Sequence, residues 1–377
     1  MMMWNTQLIG RRWQTLLGVA GVLAAVGAAT LATAGEARQR WLRASAPYTN
    51  AQPLAFDLPV PGSGPTTVAL ADDGTVWFTE SSGDRIGRMK PDGSELAEFQ
   101  LPHPGSAPRI IARGADGNMW FSEHGGNRIG RITPGGKLSE FDIPTPNSQP
   151  RALAQGKDGN IWFGMFAAGK VGRITPTGEI TEFTPPTPDS GPRAVAAGPD
   201  GNIWFSEYRA GKIGRLTPAG QFTEFALPRP NSGPGDITVG PDGALWFLEL
   251  SGGIDGVETD GNRVGKITVT GQVTEYRMPD QAAMPGATQA PSAVNIAIGP
   301  DRNLWYTRGN TLGRVTTGGK ISEFSMGASA RTIGLSAGAD REPPSRGRVL
   351  NRLWFTDSGQ NQVGYVAFSV LPFGGMR

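Results

Sequence analysis

The sequence predicts an all-β protein, a seven-bladed β-propeller with four antiparallel strands per blade. Three observations carry this reading. Tryptophan recurs at 77, 120, 162, 204, 246, 305 and 354, at intervals of 42 or 43 residues until two longer gaps near the end. Each interval holds four short strand-like runs separated by Gly- and Pro-rich turns. No segment beyond residue 50 carries a convincing 3.6-residue apolar period, which argues against the helical solenoids that share this repeat length. A fixed period near 42 residues with four strands per period is the signature of a propeller blade, so seven tryptophans mean seven blades.

The repeat is clearest at 193–225, RAVAAGPDGNIWFSEYRAGKIGRLTPAGQFTEF. Strands are expected over 193–198, 202–207, 212–217 and 221–225. Pro199-Asp200-Gly201 supplies the first turn, with proline pre-set for its second position and glycine free to take positive φ. Trp204 and Phe205 point to opposite faces of the strand, and each should pack against a neighbouring blade. The Asp-Gly pairs at 73, 116, 158, 200 and 242 are turn residues rather than a cation cluster.

Composition narrows the function. Lys+Arg 35 against Asp+Glu 33 leaves a net charge of +2 and no like-charge run, so nothing marks a nucleic-acid surface. The chain has no cysteine, which excludes disulfides, thiolate metal sites and a cysteine nucleophile. Its two histidines, His103 and His124, cannot fill a three-histidine metal site.

Residues 1–35 differ from the rest. Arg11-Arg12 precede an apolar stretch over 16–34, and Ala32-Thr33-Ala34 fits a small-residue cleavage site. The expectation is an apolar helix that serves as an export signal. A periplasmic or secreted protein would result, or one held to the inner membrane by 16–34 if uncleaved. Residues 36–51 read as a linker, 52–369 as the propeller and 370–377 as a tail.

The segment 52–59, QPLAFDLP, matches the fourth strand of a blade but follows no first three strands. Residues 331–369 supply three strands and lack a fourth. The expectation is that the N-terminal strand completes the last blade and closes the ring, removing open edges. Insertions at 250–261, 279–293 and 340–350 break the period. Asp255, Glu258 and Asp260 in the first read as a solvated acidic loop before a cation site.

Arg193 begins a first strand and Glu207 ends the second, with the turn midway, so both are expected at one end of the hairpin. First strands line a propeller's channel, which puts this end at the channel mouth. Arg109, Arg151 and Arg331 are read at the Arg193 position in other blades, and Glu80, Glu123, Glu249 and Asp357 at the Glu207 position. Four arginines and five carboxylates are therefore expected around one mouth. They form either a polar binding site or ion pairs that satisfy one another. His124 beside Glu123 is a candidate general base.

At this point the wording of the repeat resembles a known family. PRAVAAGPDGNIWFSE followed by GKIGRLTPAGQFTEF resembles the streptogramin lyase (virginiamycin B lyase) family over residues 52–369, all seven blades. The resemblance implies a Mg2+-assisted elimination that opens the ester of a cyclic depsipeptide, with a histidine base and acidic residues that place the metal. The family's two histidine positions are read here at Val294 and Arg331. Its two glutamate positions are read at Ser329 and Asp357. The fold carries over and the chemistry does not.

The expected function is an exported, monomeric propeller that binds a small molecule or protein at the mouth, through Arg151, Arg193, Glu207 and Glu249. No cofactor is firmly implied beyond the family's Mg2+. The alternative is a lyase or lactone hydrolase with a relocated site. It would use Glu123, His124, Arg109 and Arg331, with Asp357 or Glu80 for the metal. A purely structural interaction module is the third reading.

Overall fold

A computed structural model describes residues 53–230, 232–251, 260–281, 293–339 and 350–369. The expected N-terminal helix and export signal, the acidic loop at 252–259 and the tail at 370–377 lie outside the described residues. Most of the other two insertions lies outside them too. Among the described residues no helix is long and apolar enough to cross a membrane.

The described chain forms seven four-stranded antiparallel sheets. Blades one to six occupy 65–100, 108–142, 150–183, 192–226, 234–277 and 293–325. Blade four shows the pattern, with strands Pro192–Ala197, Ile203–Glu207, Lys212–Leu216 and Phe222–Ala226. These lie within a residue or so of the sequence expectation. Blade seven takes Thr332–Ala339, Leu350–Asp357 and Gln362–Ser369 from the end of the chain. Its fourth strand is Pro53–Asp57, paired with the third from Pro53 opposite Val366 to Asp57 opposite Gln362.

Blades pack through two layers. The core layer is aromatic, and all seven repeat tryptophans are buried. Trp204 stacks on Phe225 at 5.4 Å, and its Nε1 donates to Asp200 Oδ1 at 3.1 Å. The Asp-Gly turn therefore holds the indole as well as reversing the chain. Trp204 and Phe247 of the next blade share one apolar cluster. Gly214 lies where a Cβ would come within 2.1 Å of the Phe205 ring, so the third strand needs glycine for this close approach.

The second layer is polar and fixes the hub. Blade four's first hairpin pairs Pro192 with Glu207 and then Val195 with Phe205, which leaves one extra residue in the first strand. This bulge lets Arg193 leave the ladder, and the freed Ala194 N–H donates to Ser206 Oγ at 3.0 Å. Related hydroxyls on other second strands reach across to the next blade. Thr79 donates to the Arg109 carbonyl at 2.9 Å and Ser122 to the Arg151 carbonyl at 2.7 Å. Thr356 of blade seven donates to the Thr66 carbonyl of blade one at 2.8 Å.

Candidate functional site

The bulge in each first hairpin presents two successive residues at the hub. The register makes Thr66, Arg109, Arg151, Arg193, Gly235, Val294 and Ile333 equivalent. All of these except Gly235 line a pocket of about 50 Å³, together with the next residue in six of the seven blades, Asp236 and Asn295 among these. Thr67, Ile110, Ala152, Asp236 and Asn295 also line a larger hub cavity of about 430 Å³.

Three of the expected arginines thus meet at the mouth, and the fourth does not. The Arg193 equivalent in blade seven is Ile333, two residues beyond Arg331, which is exposed. Blades one to five carry a proline immediately before the bulge, opposite Glu80, Glu123, Met165, Glu207 and Glu249 in turn. Blade seven has Thr332 there, so the sequence has no anchor for the register.

The carboxylates also depart from expectation. Glu80, Glu123, Glu207, Glu249 and Asp357 are buried and none lines the pocket. Glu207 is fully buried, and neither carboxylate oxygen has a hydrogen-bond partner among the described residues. Burial pushes its pKa up to about 7, while a contact from Ser190, outside hydrogen-bond geometry, pulls the other way. Glu123 accepts from Arg128 Nε at 3.1 Å and Glu249 from Arg229 Nη2 at 2.7 Å. Both are also pushed to about 7, first by burial and then by a neighbouring glutamate. Burial raises Glu80 as well. Asp357 caps a turn, its Oδ1 accepting from the Arg331, Gly359 and Gln360 N–H groups.

The two histidines lie on different loops and have different neighbours. His103 is largely exposed and contacts Glu140 Oε2 at 2.7 Å. His124 Nδ1 faces the Pro150 carbonyl of the next blade at 3.4 Å, while Glu123 turns to Arg128.

Three arginines and one aspartate, Asp236, are among the residues that line the pocket. Arg151 lies 4.1 Å from the Phe166 ring centroid and Arg193 lies 5.5 Å from that of Tyr208, contacts that hold the two guanidinium groups. Arg193 is 8% exposed, and its buried Nη1 has no hydrogen-bond partner among the described residues. Burial, and then the charges of Arg151 and Arg109, push its pKa down to about 9, which leaves it protonated at neutral pH.

Asp236 is the one carboxylate among the pocket's lining residues. Its Oδ2 accepts from Asn295 Nδ2 at 2.6 Å and from Ile296 N at 2.9 Å. Asn295 Oδ1 in turn accepts from Leu335 N at 2.7 Å, which links blades five, six and seven. Burial raises the Asp236 pKa to about 6. Sequence reasoning missed this pair. The available signal was a charged residue after Gly235, in a column that reads Ala194 and Ala152 elsewhere.

This donor set does not fit a divalent cation. One carboxylate already bound by two N–H donors faces three arginines, whereas Mg2+ needs oxygen ligands. Among the described residues no group of three or more acidic or histidine side chains is placed to hold a metal.

Comparison with known proteins places the chain. The model of the virginiamycin B lyase family matches residues 46–257 and 184–370. No curated protein sequence matches it. Selenomethionine-substituted virginiamycin B lyase from Staphylococcus aureus is 31% identical, with a TM-score of 0.73 over 85% of this chain and 100% of that one. A catalytically inactive histidine-to-alanine variant of virginiamycin B lyase from Staphylococcus aureus, solved with quinupristin, is 32% identical. Its TM-score is 0.72 over 85% of this chain and all of that chain. A streptogramin B lyase structure is 30% identical, with a TM-score of 0.73 over 85% of this chain and 99% of that one. A match across nearly the whole propeller, with about a third of residues shared, leads to one conclusion: the chain belongs to the virginiamycin B lyase family.

Proposed function

We propose that this chain is an exported member of the family that binds a small-molecule ligand at the hub mouth and does not run the family's histidine chemistry. One observation carries the reading. The seven hub positions are Thr66, Arg109, Arg151, Arg193, Gly235, Val294 and Ile333, and none is a histidine. The relative named as catalytically inactive lost its activity with one histidine. Valine and isoleucine cannot take a proton, and arginine stays charged at neutral pH. Export rests on the Arg-Arg pair and the apolar stretch at 16–34.

The test is quinupristin incubated with the purified chain, with Mg2+ and with a chelator. No ring opening is expected in either case. Chelator-sensitive opening of the lactone would overturn the reading and favour a relocated catalytic site.

Ring closure by Pro53–Asp57 is part of the same proposal. The strand covers an edge that would otherwise expose unpaired N–H and C=O groups. A chain starting at residue 52 should fold as a monomer, whereas one starting at residue 58 should aggregate on light scattering. A soluble, equally stable shorter chain would remove the strand's closing role.

A further inference from the structure

We propose that blade one carries a small binding pocket for a carboxamide group, held by the Trp77 indole N–H and the Asp73 carboxylate. The pocket lies at the far end of the first strand from the hub mouth and is independent of what the mouth binds.

Blades two to six share a clasp that blade one lacks. In each, the repeat tryptophan donates from Nε1 to the turn aspartate, as Trp120 does to Asp116 at 3.1 Å and Trp305 to Asp301 at 2.9 Å. The clasp closes over a glycine, at 114, 156, 198, 240 and 299. A Cβ at Gly114 would come within 2.4 Å of Asp116 Oδ1 and 2.6 Å of Trp120 Nε1, and the other four would meet the same two side chains. Blade one has Ala71 at this position. Its turn follows the same path, because the Ala71 N–H donates to the Thr75 carbonyl at 2.9 Å as the Gly114 N–H does to that of Asn118 at 2.8 Å. The methyl group, not the backbone, therefore keeps the clasp open. Asp73 Oδ1 accepts from the Thr75 N–H at 2.9 Å instead. Trp77 is 1% exposed, yet among the described residues it makes ring contacts and no side-chain hydrogen bond. Buried polar groups are ordinarily paired.

The open clasp coincides with a pocket of about 210 Å³, lined by Ala71, Asp73, Trp77, Arg88, Lys90 and Glu95 and reaching Pro134 of blade two. The charges on its wall balance, two of each sign. Arg88 donates to the Pro134 carbonyl and lies 5.5 Å from the Trp77 ring centroid, while Lys90 pairs with Glu95. A neutral ligand is thus preferred to an ion. An indole N–H only donates and an ionised carboxylate only accepts, so the ligand must carry an acceptor beside a donor. A carboxamide does, with its C=O for Nε1 and its NH2 for Asp73. The volume exceeds the roughly 150 Å³ that holds a benzene, which admits a small amide or the end of a glutamine side chain.

The experiment follows the Trp77 indole N–H by nitrogen-edited NMR on the full chain, the signal being assigned by its loss in Trp77→Phe. Propionamide should shift it saturably, with a midpoint in the millimolar range. Propionate and propylamine, similar in size but charged, should not. N-acetylglutamine methylamide binding more tightly than propionamide assigns the pocket to a peptide side chain, and weaker binding assigns it to a free amide. Ala71→Gly should let the clasp close, moving the unliganded Trp77 signal toward those of the clasped tryptophans and removing the propionamide response. Asp73→Ala, at an exposed position, should weaken binding about tenfold, the loss of a hydrogen bond to a charged group. Circular dichroism should show both variants folded.

Absence of a saturable shift at Trp77 up to roughly 100 mM would overturn the inference, since 1 mM already corresponds to only about 4 kcal/mol. So would equal binding of propionate or propylamine, or propionamide binding unchanged in Asp73→Ala. A Trp77 signal that Ala71→Gly leaves in place, with binding intact, would refute the open clasp as the origin of the pocket.

Discussion

Trp204→Ala should lower the free energy of unfolding by about 3–5 kcal/mol, the usual cost of truncating a fully buried indole. Trp204 is fully buried, stacks on Phe225 with 11° between the rings, and hydrogen-bonds Asp200. Arg215 lies 5.7 Å from the indole centroid and donates from Nη1 to the Val269 carbonyl of the next blade at 3.1 Å. Removing the ring opens a cavity at a blade interface, leaves Asp200 short of a donor, and takes away the surface on which Arg215 rests. A ring of blades relaxes poorly into such a hole, because each sheet is pinned on both sides. Trp204→Phe should cost less, since the stack partly survives and only the Nε1–Asp200 bond is lost. Urea unfolding of both variants measures this. A loss below about 1 kcal/mol for the alanine variant would mean that the site collapses freely and that the aromatic layer is not what joins the blades.

Glu207→Gln should stabilise the protein at pH 8 and leave it nearly unchanged near pH 4. The native pKa of Glu207 is about 7, against an ordinary value of 4.5. Between those values the unfolded chain has released this proton and the native state still holds it. Rising pH therefore favours unfolding across that window, and stability levels off above about pH 7. A shift of this size corresponds to a ceiling of about 3 kcal/mol per group. Glu123, Glu249 and Asp236 are raised for the same leading reason, burial, and act in the same direction. The parent should thus be most stable at mildly acidic pH, and the neutral isostere should flatten part of that slope. Thermal unfolding between pH 4 and pH 8 reads the difference. A glutamine variant that keeps the parent's slope, or is less stable than the parent at pH 8, would contradict a buried and unpartnered carboxyl at this position.

Much of the architecture was legible because a propeller repeats its own instructions. The tryptophan column, the turn triplets and the orphan strand at 52–59 follow from local rules of alternation and turn chemistry. Those rules act within one hairpin, so the strands of blade four came out within a residue or so. The site was legible only in part. Arg109, Arg151 and Arg193 follow a proline that anchors their register, and they do meet at the mouth. Arg331 has no such anchor, and Ile333 stands in the place assigned to it. Asp236 and Asn295 went unnoticed because each acts through its partner, and they are 59 residues apart in sequence.

The bare order of residues determined the class of fold and the number of blades, since each depends on residue identity at a fixed spacing. Only the folded ring decided which polar groups face the hub and which are sealed between sheets. One extra residue in each first strand turns Arg193 inward, while Glu207, opposite Pro192 in the same hairpin, is buried away from the pocket. Side-chain direction at a bulge depends on hydrogen bonds to the partner strand and the next blade, and no spacing along the chain records those.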